Sequence, residues 1–248
     1  MAKPYELTWR RLPLEGAHNV RDLGGYPTAN GGQTQWHRFL RADYLMELTD
    51  ADREFLYGYG VRAVLDLRDP SEAAAEPDVQ IAPGMPHANF PLLSLNMSDS
   101  EQVEREFSSK PPSFQTFYDL IIASRANIAG CLEFIAGAPE GCVLFHCAAG
   151  KDRTGVLAML LMGLAGCDKW DCVSDYIQTS PNLMRHDWYV ASRGKTLSAD
   201  GEDLVGSPAH AIEHVWDVVA AEGGVVAFLR GCGVSSNTLA AVRARLVG

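Results

Sequence analysis

The stretch Val143-Leu144-Phe145-His146-Cys147-Ala148-Ala149-Gly150-Lys151-Asp152-Arg153-Thr154-Gly155 sets a cysteine and an arginine six positions apart, followed by a second apolar run from Val156 to Ala165. The residues up to His146 read as a buried strand, and the run from about Arg153 to Leu164 as a helix apolar nearly all round, as a central helix packed on a sheet would be. A strand that feeds a helix through a short loop belongs to an α/β sheet, whose ligands sit at the C-terminal ends of its strands. The loop is therefore where chemistry is expected.

Each residue type in that loop suits a phosphate. A loop entering a helix N-terminus turns several backbone N–H groups on one spot, and the positive end of the helix dipole adds to them. Ala148, Ala149, Gly150, Lys151, Arg153 and Thr154 are the candidate phosphate-binding positions. The same field favours thiolate over thiol at Cys147, the candidate nucleophile. Arg153 is permanently charged and offers a planar fork that matches two phosphate oxygens. Gly150 permits a positive φ or a close backbone approach. Thr154 is placed to donate its hydroxyl to the sulfur, and His146 to orient the loop. The Cys-x5-Arg spacing alone is weak, expected by chance about 0.4 times in a chain of this composition. The preceding histidine, the glycine and the Thr-Gly exit raise it above a buried cysteine in a turn. A nucleotide-binding P-loop is excluded, because Asp152 stands where Ser or Thr should follow Gly150-Lys151.

The motif HCxxGKDRTG resembles the signature of the cysteine-dependent tyrosine phosphatases, in particular their atypical bacterial branch, the mycobacterial phosphatase B-like proteins with a lipid-phosphatase-like loop. Asn19 to Tyr26, Leu40-Arg41-Ala42-Asp43, Val64 to Arg68 with Glu72, and Asp175-Tyr176 resemble that family's pattern, and Gly224 through Leu246 is similar to its C-terminal helices. The likeness thins between Pro91 and Lys110 and between Leu183 and Gly206. The Trp-Pro-Asp loop that bears the acid in other tyrosine phosphatases is absent; Trp170-Asp171 and Trp216-Asp217 lack the proline and fall in helical patterns. The resemblance implies that Asp152 is the general acid. The other reading is that Asp152 only braces the loop against Lys151, with Asp66 and Asp69 next in line. Arg68 and Glu72 read as a structural ion pair, and Arg21, Asp22 and Gly24-Gly25 as a turn packed near the loop. Lys151 either adds a second cation for multiply phosphorylated headgroups or merely offsets Asp152.

Working outward, Phe39-Leu40, Val61 to Leu67 and His87 to Leu92 read as strands. A helix between the first two is capped by Thr49 with Asp52 and stopped at Gly58 or Gly60. Pro112 to Ala136 has apolar residues at helical spacing, as one long or two abutting helices. Asp168, Ser180-Pro181, Ser207-Pro208 and Ser235 are expected to cap four later helices, proline taking the first helical position in two. Strands separated by helices imply an α/β fold, a central, mostly parallel sheet flanked by helices, with extra C-terminal helices, in a single domain over 1–248.

Bulk properties agree. A chain of 248 residues, 47% hydrophobic, can bury one substantial core. A net charge of −10 argues against nucleic-acid binding and makes any anionic substrate dependent on a local positive site. Six cysteines without a C-x-x-C pair point to neither a disulfide framework nor zinc, and His186, His210 and His214 lack a third ligand at recognisable spacing. No cofactor or metal is called for. The first twelve residues lack the apolar core of a secretory signal, and the longest apolar run falls short of the ~20 residues of a membrane span. A cytoplasmic place, or export without a cleaved signal peptide, is the expectation.

The sequence thus points to a phosphomonoester hydrolase working through a phosphocysteine, with phosphotyrosyl proteins or peptides and also phosphoinositides as substrates. The alternatives are a phosphoinositide phosphatase as the main activity, or a catalytically weak module that binds phospho-ligands.

Overall fold

The computed structural model describes residues 10–93, 112–195, 197–198 and 201–248. The first half alternates short strands with helices: β1 (Arg21–Asp22), β2 (Phe39–Ala42), α1 (Asp50–Tyr59), β3 (Val61–Asp66), α2 (Pro70–Ala75) and β4 (His87–Asn89). Next come α3 (Phe114–Ala123), α4 (Arg125–Gly137), β5 (Cys142–His146) and α5 (Asp152–Ala165). The C-terminal part is helical among the described residues: α6 (Lys169–Ile177), α7 (Thr179–Leu183), α8 (Asp187–Ser192), α9 (Ala209–Ala221), α10 (Val225–Gly231) and α11 (Ser236–Val247).

The five strands lie in the order β1-β2-β5-β3-β4. β2, β5, β3 and β4 are parallel, and only β1, read from sequence as a turn, runs antiparallel to β2. The last in sequence of these strands, β5, thus occupies the middle of the sheet, and all five of its residues are buried. Its C-terminal end releases the Cys147 loop between the ends of β2 and β3. Each face of the sheet has its own core. On one, Val143 and Phe145 meet α5 with Tyr118, Ile128, Ile212 and Val242; on the other, Leu40, Val64 and Leu144 meet Leu12, Leu56 and Ile81. Residues alternating along β5 divide between the two cores, as the two-residue period of a strand requires.

Local signals account for most boundaries. Thr49 Oγ1 accepts the Asp52 N–H and Asp52 Oδ2 accepts the Thr49 N–H, each at 3.1 Å, which is the capping box read from sequence. α1 stops at Gly60 rather than Gly58, because Gly60 takes φ 113°. The apolar run from residue 112 makes two helices with a 60° bend at Ser124, and among the described residues no single helix is long and apolar enough to cross a membrane. Asp168 and Ser235 cap α6 and α11 as expected. Ser180 and Ser207 do not cap. α7 begins at Thr179, so Ser180 and Pro181 lie inside it, and α9 takes Pro208 itself as N-cap. The two serine hydroxyls instead bond each other at 2.6 Å, and each accepts the other's backbone N–H at 3.1 Å, tying α7 to the entry of α9.

Candidate active site

The loop after β5 is built with its carbonyls turned outward. Cys147 O accepts His146 Nδ1 at 3.1 Å, and Ala148 O accepts the Tyr44 N–H at 2.9 Å. Ala149 O and Gly150 O accept Asn19 Nδ2 at 2.9 and 3.1 Å. Gly150 O and Lys151 O accept Arg41 Nη2 at 2.6 and 3.3 Å. The backbone N–H groups from Ala148 to Arg153 find no acceptor among the described residues, and no side chain caps α5. Carbonyls that are all held behind the loop leave amides for its concave side, and an amide nest at a helix N-terminus is an anion site. Gly150 has φ 63°, and a Cβ there would lie 2.4 Å from Ala42 O, so no other residue fits between this loop and β2.

The donors behind the loop are anchored in turn. Arg41 on β2 and Arg21 on β1 converge on Asp175 of α6, Arg41 Nη1 at 2.5 Å from Oδ2 and Arg21 Nε at 3.0 Å from Oδ1, with all three side chains at most 2% exposed. Burial alone would raise the Asp175 carboxyl, but Arg21 and Arg41 outweigh it and hold its pKa at about 2. Asp175→Ala would leave two buried guanidiniums without a counter-ion, so a loss of about 3–5 kcal/mol is expected in urea unfolding at neutral pH. A folded-state pKa below the ordinary ~3.9 means this stabilisation is full above that value and disappears as pH falls through the held one. A loss below ~1 kcal/mol, the value of an exposed pair, would show the triad to be dispensable.

Cys147 is 2% exposed at the base of the loop. Arg153, in the first turn of α5, makes a fork to Glu72 of α2, Nη1 at 2.5 Å from Oε2 and Nη2 at 3.0 Å from Oε1. Burial pulls the Arg153 guanidinium down, yet Cys147, Glu72 and Asp152 together leave it above its ordinary value, permanently charged. This corrects the expected Arg68–Glu72 ion pair. Arg68 instead donates to Asp66 Oδ1 and Oδ2 at 3.0 and 2.9 Å and to Asp78 Oδ1 at 2.8 Å, because its short reach along the same strand end favours Asp66. Glu72 is left to cap α2 through the Asp69 N–H at 3.0 Å and to hold Arg153.

Asp152 opens α5 beside Arg153. Its Oδ1 accepts the Tyr118 hydroxyl at 2.5 Å, and the Tyr176 hydroxyl stands 2.7 Å behind Tyr118. Burial and the Asp152 charge raise Tyr118 well above the usual phenol range, so it stays a donor. Oδ2 has no protein donor among the described residues. The other two carboxyls considered as acids are engaged: Asp66 holds Arg68 with both oxygens, and Asp69 Oδ1 caps α2 through the Ser71 N–H at 2.8 Å. Lys151 does not stand free. Its side chain is 5% exposed, its ammonium donates to the carbonyls of Leu204 and Gly206, and it lies 3.4 Å from Asp152 Oδ1. Thr154 Oγ1 is buried with no hydrogen-bond partner, a spare hydroxyl one turn into the helix. The remaining cysteines are all buried free thiols, pushed above their ordinary value by that burial, Cys167 to about 12 and Cys232 to about 11.

Residues 12–248 match the tyrosine phosphatase family. The chain belongs to that family. A tyrosine-protein phosphatase of Nostoc commune is 35% identical over 139 residues, 56% of this chain and 47% of that protein. The triple specificity protein phosphatase PtpB of Mycobacterium tuberculosis is 30% identical over 202 residues, 70% of each. The alignment thus spans about half the length of the first relative. A crystal structure of TpbA from P. aeruginosa superposes with a TM-score of 0.30 at 15% identity, over 60% of this chain and 81% of that one, a likeness too slight to add to the assignment.

As a tyrosine phosphatase family member the chain carries Cys147, Asp152 and Arg153 together at the mouth of one strand. Asn19, Arg41, Asp175 and Tyr118, which hold them, were not singled out as site residues in the sequence. Arginine and aspartate inside the short apolar strand Phe39–Ala42 and helix Lys169–Ile177 were the available signal, since charges buried in such elements need partners. Tyr118 gave none, as it falls on the apolar helical stripe.

Proposed function

We propose that this chain is a phosphomonoesterase that hydrolyses phosphotyrosine in proteins or peptides through a phosphocysteine intermediate. The observation that carries the reading is the loop itself, with outward carbonyls, unpaired amides and Cys147 beneath them. Cys147 sulfur attacks phosphorus as the P–O bond to the substrate breaks, and Asp152 Oδ2 gives its proton to the departing oxygen. The amides of Ala148 to Arg153 and the Arg153 guanidinium, released in part from Glu72, take the equatorial oxygens. Water then displaces sulfur, returning its proton to Asp152 and freeing phosphate. Thr154 Oγ1 is the donor available to the leaving thiolate. His146, Asp66 and Arg68 support the loop from behind. The names borne by the relatives, tyrosine-protein phosphatase and triple specificity phosphatase, accord with an aryl-phosphate substrate and some breadth. Release of phosphate from p-nitrophenyl phosphate and phosphotyrosyl peptides tests the reading, and binding of phosphate without turnover would leave only a phospho-ligand module.

We further propose phosphoinositides as secondary substrates. Lys151 supports this less directly than a free cation would, because its ammonium is engaged by Leu204, Gly206 and Asp152. Lys151→Ala is therefore expected to lower kcat/KM for phosphotyrosyl peptides and phosphoinositides by the same factor, about 10-fold or more, through the lost support of Asp152. A drop confined to the lipids would instead make Lys151 a headgroup cation. Absence of lipid turnover by the unmodified protein would confine the activity to phosphotyrosine.

A further inference from the structure

Behind the loop, on the sheet face shared by Val64 and Leu144, three side chains from separate segments converge. His146 ends β5, His87 begins β4, and Asp78 lies between α2 and β4. The nitrogen His146 Nδ1 faces Cys147 O, a carbonyl that can only accept, so Nδ1 carries the ring proton. Nε2 of the same ring faces Asp78 Oδ2 at 2.9 Å and Asp66 Oδ1 at 3.8 Å. His146 is fully buried, and Nε2 makes no hydrogen bond of acceptable geometry there. His87 Nε2 meets the same Asp78 Oδ2 at 3.1 Å. The other oxygen of Asp78 is taken by Arg68, which leaves Oδ2 as the shared point. His146 Nε2 is thus left buried without a hydrogen bond, facing the carboxylate oxygen to which His87 donates.

We propose that Asp78, His87 and His146 form a binding site for a divalent cation of the zinc type. The three donor atoms all lie within 4.8 Å of one another. Bonds of ~2.0–2.1 Å in tetrahedral zinc place ligand atoms ~3.3 Å apart, close to the separations found between Asp78 and the two histidines. Two imidazoles and one carboxylate suit zinc better than calcium or magnesium, which take oxygen ligands. A ligating histidine commonly donates its second ring N–H to a backbone carbonyl, which is what His146 does with Cys147. Access is open from outside: the His87 side chain is 44% exposed, and a cavity of about 250 Å³ lined by Asp66, Arg68, Asp78 and His87 adjoins the cluster. The fourth position falls to water from that cavity. A cation here takes no part in phosphoryl transfer. It fixes His146, and through Nδ1 the carbonyl of the nucleophile, so its effect on the loop is one of position.

The site is tested on the full chain stripped of metal by chelator, with Cys147→Ser as background so that the active-site thiolate cannot bind. Zinc titrated calorimetrically is expected to bind one per chain and to raise the melting temperature, and His87→Ala, at an exposed position, to weaken binding at least tenfold. Cobalt bound in place of zinc should show visible d–d bands without thiolate charge transfer. Equal affinity of the His87→Ala protein, or no saturable binding, overturns the proposal. If Cys147→Ser fails to fold, the same titration in His87→Ala and unmodified proteins with intact Cys147 decides by the cobalt spectrum, since charge-transfer bands alone would place the metal on sulfur.

Discussion

Cys147→Ser is expected to abolish phosphate release while phosphate or vanadate binds within about tenfold of the unmodified protein. The two halves of that result come from different atoms. Turnover needs a nucleophilic anion, which a thiol forms far more readily than a serine hydroxyl does. Binding needs the amides of Ala148 to Arg153 and the Arg153 fork, and these are positioned by Tyr44, Asn19, Arg41 and Glu72 rather than by sulfur. Assay of p-nitrophenyl phosphate beside oxyanion titration separates the two. Measurable turnover by the variant sinks the covalent route, and loss of binding with loss of turnover would mean that sulfur holds the loop in shape.

Asp152→Asn is expected to slow turnover roughly 10²–10⁴-fold for alkyl phosphates and much less for aryl phosphates with acidic phenols. A poor leaving group needs its proton as the P–O bond breaks; a good one departs as the anion. The carboxamide keeps the Tyr118 hydrogen bond to Oδ1, so the helix start should hold and the change falls on Oδ2 alone. The check is the slope of log kcat against leaving-group pKa. A uniform loss across the series would make Asp152 a brace and send the search back to Asp66 and Asp69, although both are already engaged by Arg68 and by the cap of α2.

The parts legible in the sequence are those whose cause is local. The run Val143 to Gly155 specifies a strand, a loop and a helix by hydrophobic pattern, and Thr49, Asp168 and Ser235 mark helix starts through bonds three residues long. The parts that escaped are those decided by partners far along the chain. Glu72 stands four residues from Arg68, a helical spacing that invites a pair, yet it reaches Arg153 81 residues away. Ser180 and Ser207 carry the sequence mark of a cap and use their hydroxyls on one another instead. Asp78, His87 and His146 meet only because β4, β3 and β5 lie side by side, and no spacing along the chain encodes that adjacency.

Because the outward carbonyls of the Cys147 loop are fastened to Asn19 and Arg41, and these to Asp175, Asn19 through Arg21 and Arg41 directly, the loop's conformational entropy is given up when the protein folds and not when substrate arrives. A phosphate then meets amides already in place, and the ordering cost that a floppy loop would exact from affinity is absent. The reverse must hold as well, since whatever binds only the folded chain stabilises it in proportion to its occupancy. Vanadate or phosphate should thus raise the melting temperature. A lesion at Asp175 that leaves the chain folded should weaken oxyanion binding from a helix that never touches the anion.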